Sequence, residues 1–210
     1  MPKKLKFLFK ATIAASFLYG LFVLFFLQEV GIFGDSFLKA CEEKGVHLPL
    51  TDPKILVDVS DATLTISEGD TVVRRYDIST GTNRVVGSLK KEMNSTPLGT
   101  YKVVRKAVRE SVLFTGSRFL EINFPCTDDV ELAWEQGLID GPEYERYHAA
   151  KDSNQELPQD LKFSRTLGIQ GNYFSIMGQR STNGGVALSN GDLNDVFDHI
   201  PVGTPVTIRR

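Results

Sequence analysis

The chain has 210 residues, 41% hydrophobic and 24% charged, with a formal net charge of −2. That is enough for one anchor segment and one domain with a proper core, in a composition ordinary for a folded protein. Four of the 24 basic residues (Lys3, Lys4, Lys6 and Lys10) fall in the first ten positions, leaving 20 basic against 26 acidic side chains in the rest; with no basic stripe to follow a phosphate backbone, nucleic acid is excluded as a partner. Cys41 and Cys126 are scattered without metal-ligand spacing, as are His47, His148 and His199, so no metal or other cofactor is expected.

In chain order, the first predicted element is a membrane anchor. Ala11 to Leu27, ATIAASFLYGLFVLFFL, is a run of 17 residues without a charge. As a helix it spans about 25 Å, the short end of a bilayer crossing. Phe7 to Phe9 and Val30 to Phe33 can lengthen it, with Lys10 reaching back to the interface. The lysines precede the run while Glu29 and Asp35 follow it. The positive-inside rule therefore predicts residues 1–10 as a cytoplasmic basic tail, 11–33 as a single-pass signal anchor in the inner membrane, and an exported remainder. A cleaved signal peptide is the rival reading. Against it, the apolar run exceeds the usual h-region and no A-x-A-like site follows closely. LKAC at 38–41 is a poor lipoprotein box because of Lys39 and its distance from the run. Gly20, Ala14, Ala15 and Ser16 give the anchor small residues against which another helix can pack.

Residues 34–53 read as a linker, with a short helical patch over 37–43. A β-rich domain is expected over 54–210. ILVDVS (55–60) and ATLTIS (62–67) are predicted strands, Glu68-Gly69-Asp70 a turn, and TVVRRYDIST (71–80) the returning strand. TYKVVRKAV (100–108) follows Pro97 and Gly99 as another strand. A helix-prone insert occupies about 126–160, with Asp128 and Asp129 suited to a helix start. Its Val130, Ala133, Trp134 and Leu138 form one apolar face. Trp134 reads as a core residue or, on a lid, as a ring that stacks on a sugar. FSRTLGIQG (163–171) and GGVALS (184–189) are the next strands. Ser189 then caps a helix, with Asp192 completing a capping-box-like pair. Leu193, Val196, Phe197 and Ile200 are spaced along its apolar face, Pro201 ends it, and TPVTI (204–208) closes the chain. Runs of strands with isolated helices predict a mainly β or α+β architecture.

ILVDVSDATLTISEGDTVVRRYDISTG, TPLGTYKV, LGIQG and STNGGVALSNGDLNDVFDHIPVGTPVTI together resemble, in order from about Ile55 to Ile208, the L,D-transpeptidase catalytic domain of YkuD type. The likeness is greatest to the branch with a GC-I-A-L-S-N loop and a helical insert after a Y-P-N-like turn, here FPCTDD at 124–129. The resemblance implies a periplasmic domain working on peptidoglycan. It also implies a cysteine nucleophile that takes an acyl group from a tetrapeptide stem and passes it to an amine or to water.

By the same resemblance the nucleophile falls at Gly185 and the histidine of the strand motif at Gln170. A thiolate is the attacking species, and a neighbouring histidine accepts its proton. Glycine has no side chain, and a glutamine amide accepts no proton near neutral pH. The expectation is a catalytically inert domain with no catalytic residues. Gln170, Thr182, Asn183, Gly184 and Gly185 remain to bind peptide amides and carboxylates, the two glycines through their N–H groups. The expected partners are peptidoglycan stem peptides or a cell-envelope protein.

Two other readings stand beside this one. An enzyme with displaced groups would need Cys126 as a relocated thiol, although no histidine accompanies it closely in sequence, and Ser181, Thr182 and Ser189 likewise lack a nearby base. A structural spacer would act through its membrane helix. Export further suggests that Cys41 and Cys126 pair as a disulfide tying linker to insert.

Overall fold

A computed structural model describes residues 3–29, 36–83, 87–108, 115–172 and 178–210. Residues 1–2 of the expected tail, 30–33 of the expected anchor and 34–35 of the expected linker lie outside the described residues. Helix α1 runs over Lys3–Glu29. Among the described residues no helix is long and apolar enough to cross a membrane, so the anchor reading rests on the sequence.

The domain is built on a β-rich curled sheet. Strands β1 (Pro53–Asp58) and β2 (Thr63–Glu68) pair antiparallel, setting Ile55 against Ile66 and Val57 against Leu64, all four buried. Such branched cross-strand pairs suit the pleated surface. The turn to β3 (Thr71–Asp77) uses Gly69 at φ +57°, in the left-handed region that favours glycine. Next to β1 lies β10 (Pro205–Arg209), in parallel, and then β5 (Gly99–Val108). Beyond β5 come β6 (Thr115–Ile122), β7 (Gly168–Asn172) and β9 (Val186–Ser189). The order is β3-β2-β1-β10-β5-β6-β7-β9, and β4 (Thr80–Gly81) pairs separately with β8 (Arg180–Thr182).

Several expected boundaries move. The strand read over 71–80 divides into β3 and β4. Of 163–171 only the end is strand, because Phe163 to Leu167 form an irregular approach to β7. β6 and β8 carry no sequence signal: TGSRFLEI has few β-branched residues, and RST is only three residues long. Pairing with β5 on one side and β7 on the other makes β6 a strand, tertiary context overriding weak propensity.

The insert folds as two helices, α3 (Thr127–Glu135) and α4 (Gly141–Asp152), with Gly137 at φ +66° between them. Val130 and Ala133 are buried, as is Tyr147 from α4. Trp134 departs from the expected apolar face. It lies on the flank of the last turn of α3, where Tyr144 of α4 takes its ring in a stack instead of the core. Helix α5 (Asn190–Phe197) starts as expected, with the Asp192 N–H donating to Ser189 Oγ at 3.0 Å. It packs on β6 and β7 and ends three residues before Ile200, which is nevertheless fully buried.

Helix α2 (Phe37–Glu43) folds part of the expected linker onto the domain. Phe37 is fully buried, stacks on His199 with ring centroids 5.5 Å apart, and its N–H donates to Asp195. Arg74 Nη1 approaches the same carboxylate to 3.6 Å. The expected disulfide is corrected: Cys41 and Cys126 are both free thiols. Cys41 is buried near Asp195 and Glu68, whereas Cys126 stands at the start of α3 near Asp129 and Tyr101. Each is held in its own cluster of side chains.

Phe37→Ala should therefore lower stability by about 3–5 kcal/mol, roughly 6–20 °C in thermal unfolding. Leu38→Ala, at a residue 52% exposed, should change it by less than about 0.5 kcal/mol. Equal small effects would show that α2 is not part of the folded unit.

Candidate functional site

The sheet puts Gln170 on β7 and Gly185 at the entry to the neighbouring strand β9. Strands β7 and β9 run parallel with Ile169 opposite Val186 and Gln170 opposite Ala187. Ile169 and Val186 point into the core, and Gln170 is half-buried. Gly185, immediately before β9, is seated against Gly168. A Cβ placed on Gly185 would meet the Gly168 carbonyl oxygen at 3.0 Å. A small apolar cavity lies beside these glycines, walled by Pro97, Ile122, Leu167, Ile169, Val186 and Val206.

The loop that delivers Gly185 is held from inside. Thr182 is buried, its hydroxyl donating to the Gly185 carbonyl at 2.6 Å and accepting the Gly184 N–H at 3.3 Å. Both groups, expected to contact a ligand, are thus engaged in shaping the loop. Asn183 is exposed at its tip. Gly184 has φ +104°, and a Cβ there would lie 2.8 Å from the Ser95 carbonyl oxygen, so the position requires glycine twice over.

Arg165 is the residue that sequence reasoning passed over. Its Nη1 donates to Leu89 O at 3.0 Å and to Phe163 O at 3.4 Å, and its Nη2 donates to Ser95 O at 3.1 Å. The guanidinium lies over the Phe124 ring at 5.2 Å, and burial lowers its pKa. It joins the segment before β5, the approach to β7 and the backbone under Gly184. A lone arginine in a run read as strand was the only hint, and its meaning depends on 163–167 being irregular.

Cys126 is a poor substitute nucleophile. Burial, then the Asp129 charge, pushes its thiol up to about 11. Asp129 accepts the Cys126 N–H at 2.8 Å and the Tyr101 hydroxyl at 3.0 Å. At pH 7 a thiol of that pKa is ionised in only about one molecule in 10⁴. Among the described residues no group of three or more His, Cys, Asp or Glu side chains could hold a metal ion.

The profile of the YkuD L,D-transpeptidase catalytic domain matches residues 52–208. The chain belongs to the L,D-transpeptidase catalytic domain family. No curated protein matches it. Among solved structures it is similar to the helical cell shape determining protein Pgp2 of Campylobacter jejuni, with 18% identity, a TM-score of 0.49, and coverage of 76% of this chain and 48% of that one. Bd1075 of Bdellovibrio bacteriovorus gives 16% identity, a TM-score of 0.48, and coverage of 76% and 48%. An L,D-transpeptidase from Mycobacterium smegmatis gives 12%, 0.42, and coverage of 76% and 59%. This L,D-transpeptidase-family chain thus spans about half the length of the first two.

Arg165→Ala should lower the stability of this L,D-transpeptidase domain by about 2–3 kcal/mol and speed hydrogen exchange in 89–96 and 184–185. Arg165→Lys should restore little, since an ammonium lacks the planar fork that reaches separate carbonyls. Unchanged exchange in both variants would remove Arg165 from the support of the loop.

Proposed function

We propose that this chain is a membrane-anchored periplasmic member of the L,D-transpeptidase family that works in peptidoglycan biology by binding stem peptides, without turning them over. The observation that carries this reading is the glycine at 185. The loop is shaped and braced as if to hold a reactive residue beside β7, yet it ends in a residue with no side chain. Gln170 on the adjoining strand has an amide where a proton acceptor would be needed. The half-buried amide of Gln170 and the exposed Asn183 are groups that suit a peptide, whose amides want hydrogen-bond partners. A protein of the cell envelope is the other ligand the same groups accept.

Purified wild-type protein should release no product from muropeptides by transpeptidation, carboxypeptidase or amidase activity. The double substitution Gly185→Cys with Gln170→His should create a thiol that alkylates about 10²-fold faster than Cys126 at neutral pH, and neither single change should do as much. The Gly168 carbonyl must give by a few tenths of an ångström to admit the new Cβ. Turnover will lag behind thiol reactivity, because an ångström of misplacement costs about 10² in rate. Wild-type turnover that survives Cys126→Ser overturns the inert reading, and turnover abolished by that change transfers the chemistry to Cys126.

The anchor and its orientation follow from the lysines before the apolar run. A reporter that works only outside the cytoplasm, fused after Arg210, should be active. Activity of a cytoplasm-only reporter there would reverse the topology.

A further inference from the structure

Trp134 is the chain's single tryptophan, and 44% of it is exposed. It is not loosely displayed. One face of its ring lies on Tyr144, centroids 5.0 Å apart and planes 30° from parallel. Tyr144 stands 4.4 Å from His148 and its hydroxyl donates to Glu131 Oε2 at 2.8 Å. The other carboxylate oxygen of Glu131 lies 3.1 Å from His148 Nε2. Glu131 precedes Trp134 by three residues, so ring and carboxylate share one face of α3. These residues belong to the insert, on elements other than those that carry the loop at 183–185.

We propose that Trp134 and Glu131 form a saccharide-binding platform for β-linked pyranoses bearing acetamido groups, a site separate from the peptide cleft but resting on the same peptidoglycan reading. A β-linked pyranose with equatorial substituents turns a row of axial C–H bonds to one face. That face is apolar and flat enough to cover an indole. Its hydroxyls and amide N–H groups emerge at the edge and need acceptors beside the ring. Glu131 is such an acceptor, with a lone pair left on each oxygen and a charge that strengthens the bond. The stack on Tyr144 immobilises the indole beforehand, so little side-chain entropy is lost on binding. A protein partner is disfavoured by size. One ring and the neighbouring exposed Leu132 fall far short of the roughly 800 Å² per side of a stable protein interface.

The single tryptophan makes its emission a direct readout of the platform. The full-length protein, in a detergent without a sugar headgroup, is titrated with tri-N-acetylchitotriose. Emission should change saturably, and cellotriose, which lacks the acetamido groups, should bind about tenfold more weakly. Glu131→Gln should weaken triose binding by about tenfold and keep the emission signal. Trp134→Ala should abolish the heat of binding in calorimetry. An emission spectrum unmoved by the triose up to about 20 mM, or triose binding that survives Trp134→Ala, overturns the proposal. A sugar-free stem tetrapeptide, titrated separately, tests the peptide cleft, so failure of one site is distinguishable from failure of the other.

Discussion

The four residues of β9 are held along both edges. On one side they run parallel to β7. On the other, Ala187 exchanges backbone hydrogen bonds with Ser79, each at 2.8 Å. A strand this short has little propensity of its own, and the double pairing sets its position. Everything that distinguishes the site depends on it. Gly185 is the residue before the strand and Ser189 is its last, so the loop and the start of α5 are placed together. Leu193, Val196 and Phe197 then bury against the sheet, each contributing about 1.5–3 kcal/mol, and hold β9 in register from above.

A second constraint links the insert to the same loop. Phe124 precedes α3 and lies under the Arg165 guanidinium, while Nη2 of that guanidinium donates to the Ser95 carbonyl beneath Gly184. Asp129, in the first turn of α3, is buried and its pKa is raised mainly by that burial. Its bonds to Tyr101 and to the Cys126 N–H tie the insert to β5 and to the turn before α3. Buried polar groups of this kind hold their geometry because an unmade hydrogen bond in the interior is expensive. The consequence for chemistry is that the same surroundings disfavour the thiolate of Cys126. The helical insert shares a foundation with the loop at 183–185 while turning Trp134 outward.

The legible parts of the sequence were those with a local physical cause. Ser189 and Asp192 announced α5 because capping is an interaction between near neighbours. Ile55, Val57, Leu64 and Ile66 announced the first two strands by alternation, and Glu68-Gly69-Asp70 announced the turn that leads on to β3. The family likeness rested on motifs spread from β1 to β10, most specific at β9 and α5, and singled out Gln170 and Gly185, which the fold sets on β7 and just before β9. Thr182 was harder to assign. Its hydroxyl is the right kind of group for a ligand, and only the 2.6 Å bond to the Gly185 carbonyl shows that the loop itself uses it.

By itself, then, the sequence determined the class of domain, the positions of most of its longer strands along the chain, the identity of the final helix and the absence of a side chain at 185. Those depend on residue type, short-range spacing and recognisable motifs. The tertiary structure alone decided that TGSRFLEI is a central strand, since its β7 partners lie as far off as Thr115 from Asn172 in the chain. It also decided that Arg165 is a brace, that Phe37 belongs to the domain core, and that Trp134 faces solvent on a tyrosine. In each case the deciding contact joins segments distant in the chain or separate helices, and no periodicity records which surface a folded neighbour will cover.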